Sequence, residues 1–207
     1  MNVIFDIGKV LIDFDFEQYM HSIFDKDTAD AVIAATWHSP VWSELDKGVM
    51  SDEQVLCRFI ENAPGHEREI RRMFALLGNI PKMKDSTVPM IQSLKAKGYG
   101  VYYLSNYFEY LMHTAPWALN FIRYTDGGIF SCHVKITKPD KRIYELLCGK
   151  FSLSPAECIF IDDTERNVRA AEGCGMKGIH YTGQTSAELT EMIDRLSYAH
   201  KDKEEDK

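Results

Sequence analysis

Short apolar runs that stop abruptly at polar residues recur along the chain, and they predict a parallel sheet. Val3-Ile4-Phe5 runs into Asp6, Val101-Tyr102-Tyr103-Leu104 into Ser105-Asn106, and Cys158-Ile159-Phe160-Ile161 into Asp162-Asp163. Ile129-Phe130 and Gly178-Ile179-His180-Tyr181 complete the set. Short runs without alternation fit strands covered on both faces. Between them, apolar residues fall at helical spacing: Ile143, Leu146 and Leu147 within 141–151, and Leu189, Ile193 and Leu196 within 187–198. A short helix over 168–172 closes near Gly173, and one over 86–97 closes at Gly98. Strands alternating with helices imply right-handed crossovers. The predicted fold class is α/β, a Rossmann-like open parallel sheet flanked by helices, with ligands at the carboxyl ends of the strands.

One connection is too long for a crossover. Roughly 95 residues separate Asp6 from Val101, where a dozen or a few dozen suffice. Residues 16–77 read as almost wholly helical. Ser51-Asp52-Glu53-Gln54 is a capping box, and Pro64-Gly65 marks a turn between helices. The expectation is a small inserted α-helical cap over 16–81, with linkers near 12–15 and 78–81. The core is then 1–15 and 82–200. A cap above the strand ends would form a lid. Residues 201–207 read as a charged, solvated tail.

Composition narrows the partners. The 207 residues are 45% hydrophobic, enough for one core with a modest insertion. A net charge of −7 argues against nucleic acid and anionic membranes. No run approaches the ~18 apolar residues of a membrane span, and the N-terminus lacks a signal-peptide pattern. Cys57, Cys132, Cys148, Cys158 and Cys174 are odd in number and form no C-x-x-C pair. Free thiols and a cytoplasmic location are expected. The seven histidines include no H-x-x-x-H pair, so zinc is not expected.

The polar strand ends carry the chemistry. Asp6, Ser105, Asn106, Asp162 and Asp163 would share one rim of a parallel sheet. Each alone could be a helix N-cap; together they make a site. Lys138 precedes Pro139, which is placed to open the helix near Lys141. A cation there opposes the helix dipole, so its place is better explained by a facing phosphate. Clustered carboxylates repel and raise a pKa, and a hard divalent cation such as Mg²⁺ relieves this. Ser105, Asn106 and nearby backbone N–H groups would hold phosphoryl oxygens. A carboxylate would then attack phosphorus in line and form an aspartyl-phosphate.

Phe5-Asp6-Ile7-Gly8-Lys9-Val10-Leu11, Leu104-Ser105-Asn106, Lys138-Pro139 and Phe160-Ile161-Asp162-Asp163 resemble, in order, the four motifs of the haloacid dehalogenase-like hydrolase superfamily. The helical insertion falls where that superfamily carries its small cap. The resemblance implies Asp6 as nucleophile and metal ligand, and the Gly8 carbonyl as a second ligand. Asp162 and Asp163 would bind metal directly or through water, the order between them open. Ser105, Asn106 and Lys138 would hold the phosphate, Lys138 would neutralise the nucleophile, and Asn167 would orient the acidic pair. The cofactor is then Mg²⁺ and the partner a small phosphate ester, with the chain a monomer or weak dimer.

Gly8 departs from the superfamily's phosphatase pattern, which has an acid two residues after the nucleophile. Loss of a general acid costs ~10²–10⁴ in rate. A sugar 1-phosphate, with its better leaving group, fits that loss. The sequence is similar to the bacterial glucose-1-phosphate phosphatase branch, which also has glycine there. Asp13 and Asp15 read as linker residues before substitute acids. The alternatives are a metal-independent 2-haloacid dehalogenase and a binding protein that has lost turnover. In this type of cap, Trp42, Glu44, Asp46 and Lys47 are candidates for touching substrate. Trp37 and Trp42 are expected to anchor cap helices, and Tyr107 could reach the pocket.

Overall fold

The computed structural model describes residues 1–205, with side chains through Tyr198. The charged tail expected at 201–207 lies outside the residues described in full. The first half of the chain contains β1 (Asn2–Phe5), β2 (Ile12–Asp13), α1 (Phe16–Ile23), α2 (Lys26–Ala35), α3 (Pro40–Lys47), α4 (Asp52–Asn62), α5 (Glu67–Leu76), β3 (Lys82–Met83) and α6 (Thr87–Ala96). The second contains β4 (Gly100–Ser105), α7 (Glu109–Thr114), β5 (Gly127–Phe130), α8 (Ser131–Val134), α9 (Lys141–Phe151), β6 (Cys158–Asp162), α10 (Glu165–Glu172), β7 (Lys177–His180) and α11 (Ser186–Glu205).

Five strands form one parallel sheet in the order β5-β4-β1-β6-β7. Side-chain alternation divides its residues between two cores. Val3, Phe5, Val101, Ile159 and Ile161 point to one face, with Ile91 and Leu94 of α6 and Leu189 and Ile193 of α11. Ile4, Leu104, Ile129 and Phe160 point to the other, with Ile143, Tyr144 and Leu147 of α9. Covering both faces makes the central strands apolar throughout: all five residues of β6 are buried. β7 begins one residue earlier than expected and excludes Tyr181.

The cap comprises α1 to α5, and two short strands tie it to the core. β2 pairs antiparallel with β3, Ile12 opposite Met83 and Asp13 opposite Lys82. The return linker thus pairs just beyond 78–81, and Leu77–Asn79 is a 3-10 turn. Caps set the cap-helix boundaries: Asp15 accepts from Gln18 N–H at 2.9 Å, and the Ser51–Gln54 capping box is formed in both directions. Phe16, Trp37, Trp42 and Phe59 pack ring against ring inside it, with Trp37 and Trp42 centroids 4.7 Å apart. The cap seats on the core through Trp42 against Phe108 at 5.7 Å and Phe74 against Tyr110 at 4.8 Å. Pro139 does not enter the first turn of α9. Asp140 is the N-cap instead, accepting from Arg142 N–H at 3.0 Å, because its carboxylate satisfies a donor that proline's ring cannot.

Candidate active site

The loop after β1 is a tight turn built on one carbonyl. Leu11 and Ile12 both donate their N–H to Ile7 O, at 2.9 and 3.0 Å, and Val10 N–H donates to Gly8 O at 2.7 Å. Lys9 sits at the tip with φ 59°. Thr87 Oγ1 donates to Leu11 O at 2.5 Å, and the Lys84 ammonium donates to the Lys9 carbonyl, so α6 and the residue after β3 clamp the turn. Asp6 N–H donates to Ile161 O at 2.8 Å, which continues the sheet one step and presents Asp6 beside Asp162. At Gly8 an added Cβ would meet only Asp6 Oδ2, at 4.0 Å. Position 8 therefore has room for a side chain.

Lys138 joins the carboxylates. Its ammonium lies 2.7 Å from Asp6 Oδ1 and 2.6 Å from Asp162 Oδ2. The contact to Asp6 is off the hydrogen-bonding direction, so Oδ1 is charge-paired yet lacks an aligned donor. Asp162 is saturated by comparison. Thr164 N–H reaches Oδ1 at 2.8 Å, and Asn167 Nδ2 reaches both oxygens, at 3.0 and 3.1 Å. Asp163 is held loosely, with Lys9 Nζ at 3.7 Å and the Thr164 hydroxyl at 3.4 Å. Asp6, Asp162 and Asp163 each offer an oxygen, all within 4.8 Å of one another.

These contacts set the protonation states. Burial pushes the Asp6 carboxyl up to about 7, against the pull of Lys138 and with added repulsion from Asp162 and Asp163. Burial and Asp162 likewise raise Asp163. Burial works to lower Lys138, but Asp162 and Asp6 outweigh it and hold the ammonium above its usual value. Lys138 is also fixed through its backbone. Asn106 Oδ1 accepts from Lys138 N–H at 2.8 Å, and Asn106 Nδ2 donates to Lys138 O at 3.1 Å.

A cavity of about 530 Å³ opens above this rim. Its floor includes Asp6, Gly8, Ser105, Asn106, Lys138, Asp163 and Asn167. Asp162 lies beneath, fully buried. The cavity's other side is the cap. Ser39, Trp42, Ser43 and Asp46 line it at positions i, i+3, i+4 and i+7 of α3 and its N-cap, with Trp37 and His38 beside them. Glu44 and Lys47 are not on this wall; they pair with each other at 2.9 Å. Asp13 and Asp15 also lie off this wall, in an adjoining pocket.

Burial also pushes the Asp46 carboxyl up to about 8, with Lys138 opposing and Asp6 adding to the shift. Tyr107 lines the cavity as expected, and its buried hydroxyl has no hydrogen-bond partner. Phe14, Arg166 and Thr164 also reach the cavity, and the sequence reading passed over all three. Arg166 follows Glu165 in the first turn of α10 and Thr164 is that helix's N-cap, so both flank the acidic pair closely enough to have been found.

A buried carboxylate at the end of the first strand, a lysine bridging two carboxylates and a helical cap closing the cavity define a class of hydrolase. The chain belongs to the haloacid dehalogenase-like hydrolase family, which it matches over residues 1–175. Among its relatives is the sesquiterpene phosphatase AstK of Aspergillus oryzae, 27% identical over 92% of this chain and 95% of that protein. D-ribitol-5-phosphate phosphatase of Bacteroides thetaiotaomicron is 24% identical over 85% of this chain and 89% of that protein. A HAD family enzyme from the same organism, solved with magnesium and inorganic phosphate, superposes with a TM-score of 0.69. It is 20% identical and covers 91% of this chain and 98% of that one. At that identity the likeness is one of fold.

Proposed function

We propose that the protein is a Mg²⁺-dependent phosphomonoester hydrolase that works through an aspartyl-phosphate on Asp6. Its substrate is a small phosphorylated metabolite, a sugar phosphate or sugar 1-phosphate among them. The observation that carries this reading is the Asp6–Lys138–Asp162 arrangement at the floor of the cavity, with Asp163 alongside. The two phosphatase relatives support it.

The donor set fits a hard divalent cation. Three carboxylates converge, and one buried ammonium cannot balance them. Asp162 already has its hydrogen bonds, so Asp163 is the carboxylate free to reach a metal, with Asp162 positioning Lys138. The Gly8 carbonyl keeps a second lone pair beyond its bond to Val10. When bound, Mg²⁺ neutralises charge on the phosphoryl oxygens. Ser105 and Asn106 hold the phosphate, and Lys138 keeps one Asp6 oxygen charge-paired while the carboxylate attacks phosphorus. Phe14, Trp37 and Trp42 offer the organic half of the ester an aromatic wall. The five free thiols suit a cytoplasmic setting, and the chain is read as a monomer or weak dimer. Among the described residues, no helix is long and apolar enough to cross a membrane.

Purified protein should release phosphate from p-nitrophenyl phosphate and from a panel of sugar phosphates with Mg²⁺, and lose that activity in EDTA. No release from any ester would reject the reading. Halide release from 2-haloacids without metal would replace it with a dehalogenase, and binding without turnover with a binding protein.

A further inference from the structure

We propose that Asp46, on the cap helix α3, donates the proton to the leaving oxygen and then activates the hydrolytic water, the work that Gly8 cannot do. The inference rests on the phosphatase reading.

The geometry of displacement sets the search. In-line attack by Asp6 puts the leaving oxygen on the far side of phosphorus, away from the strand ends and toward the cap. On that side the cavity presents two titratable groups, His38 and Asp46. His38 Nε2 is engaged by Glu17 at 3.0 Å. Asp46 stands on the α3 stripe that faces Asp6 across the cavity, and it senses the charges of Lys138 and Asp6. Lys9 and Asp163 pair with each other on the floor at 3.7 Å, on the side of Asp6. Arg166 offers donors and no acceptor, so it cannot take a proton from water. Burial raises the Tyr107 phenol far above neutrality, so it holds its proton. Asp13 and Asp15 lie off the cavity wall, and Asp15 is occupied as the N-cap of α1.

Asp46 is also held in place. Ser131 Oγ donates to its backbone carbonyl at 2.5 Å and accepts from Tyr107 N–H at 3.0 Å. Lys135 Nζ donates to Gly48 O at 2.5 Å, two residues on. These bonds run from core to cap, so they fix Asp46 over the site when the cap is seated. With its carboxyl raised to about 8, Asp46 carries a proton at neutral pH.

The steps balance. An Asp6 oxygen bonds to phosphorus as the bond to the leaving oxygen breaks, and the Asp46 proton passes to that oxygen, releasing the alcohol. Ionised Asp46 then takes a proton from water as the water oxygen attacks phosphorus. The bond to Asp6 breaks, phosphate leaves, and both carboxyl groups return to their starting states.

The test compares phenyl phosphate with p-nitrophenyl phosphate, which are similar in shape but differ in leaving group. For Asp46→Asn we expect kcat/KM to fall at least ~10²-fold on phenyl phosphate and less than ~10-fold on the nitrophenyl ester. Rapid mixing with the nitrophenyl ester should then show a burst of one nitrophenolate per enzyme, because the second step has lost its base. Glu44→Gln, on the outer face of the same helix, should match wild type on both esters. Equal losses of kcat/KM on both esters, or none on either, would overturn the assignment. Inert wild-type protein would instead reject the phosphatase reading, and this assignment with it. If Asp46→Asn does not fold, the wild-type dependence on leaving group decides. A shallow slope across substituted phenyl phosphates supports a proton donor, and a steep one overturns it.

Discussion

The floor and the roof of the cavity are built to different standards. On the floor, Lys138 is fixed at both ends: its ammonium by Asp6 and Asp162, its backbone by two bonds to Asn106. Asp162 accepts from Thr164, Asn167 and Lys138 at once. On the roof, α3 relies on aromatic packing and on two side chains of the core, Ser131 at the Asp46 carbonyl and Lys135 at the Gly48 carbonyl. The difference separates two tasks. On the proposed reading the floor holds what every phosphate ester shares, and its geometry is over-determined. On the same reading the roof meets the part that varies among esters, and fewer bonds hold it.

The largest effect should come from the floor. Asp6→Asn is expected to reduce kcat by roughly 10⁴–10⁶-fold with an unchanged circular dichroism spectrum, as when other covalent nucleophiles are removed. Retained turnover would break the comparison at its strongest point. Lys138→Met leaves Asp6 and Asp162 buried without their counter-charge. It should destabilise the metal-free protein by about 3–5 kcal/mol in urea unfolding and lower kcat by ~10²–10³-fold. Added Mg²⁺ should restore part of the stability and little of the rate.

The roof should respond more mildly. Ser131→Ala removes the bridge between Tyr107 N–H and the Asp46 carbonyl. A loss of about 1–3 kcal/mol is expected, with a several-fold fall in kcat/KM; an unaltered enzyme would show that the bridge does not position Asp46. A separate effect, read in stability alone, concerns pH. The Asp46 carboxyl stands at about 8 in the folded chain and near 3.9 when unfolded. The folded state therefore keeps a proton that the unfolded state gives up. That stability is complete below about 4 and is lost as pH rises toward 8. Melting curves of metal-free Asp46→Asn should fall less between pH 5 and 8 than those of wild type. Parallel curves would contradict the raised Asp46 carboxyl.

Much of the floor was legible because the signals are local. An apolar run followed by a polar residue places that residue at a strand end, and parallel order then gathers Asp6, Ser105, Asp162 and Asp163. Lys138 stood out because a cation before a helix needs another reason to be there. The roof was harder. Trp42, Glu44, Asp46 and Lys47 all qualified from sequence, and only Trp42 and Asp46 face the cavity. A helical reading anchored on Trp42 would have separated them, since Ser39, Trp42, Ser43 and Asp46 share one stripe. Ser131 carried no signal at all. Its role depends on α8 meeting α3 across a separation of 85 positions in sequence, and no local pattern reports such a contact. Pro139 misled in a small way, because Asp140 was the better cap.

The central claim is that phosphorus passes through Asp6. The direct measurement is acid quenching of the enzyme during turnover of p-nitrophenyl phosphate with Mg²⁺, followed by peptide mass spectrometry. Asp46→Asn is the variant of choice, because its slowed second step should accumulate the intermediate. One phosphoryl group on the N-terminal peptide, mapped to Asp6 and absent when Mg²⁺ is withheld, is the expected result. Steady turnover with no phosphorylated Asp6, or with the phosphoryl group on another residue, would contradict the account.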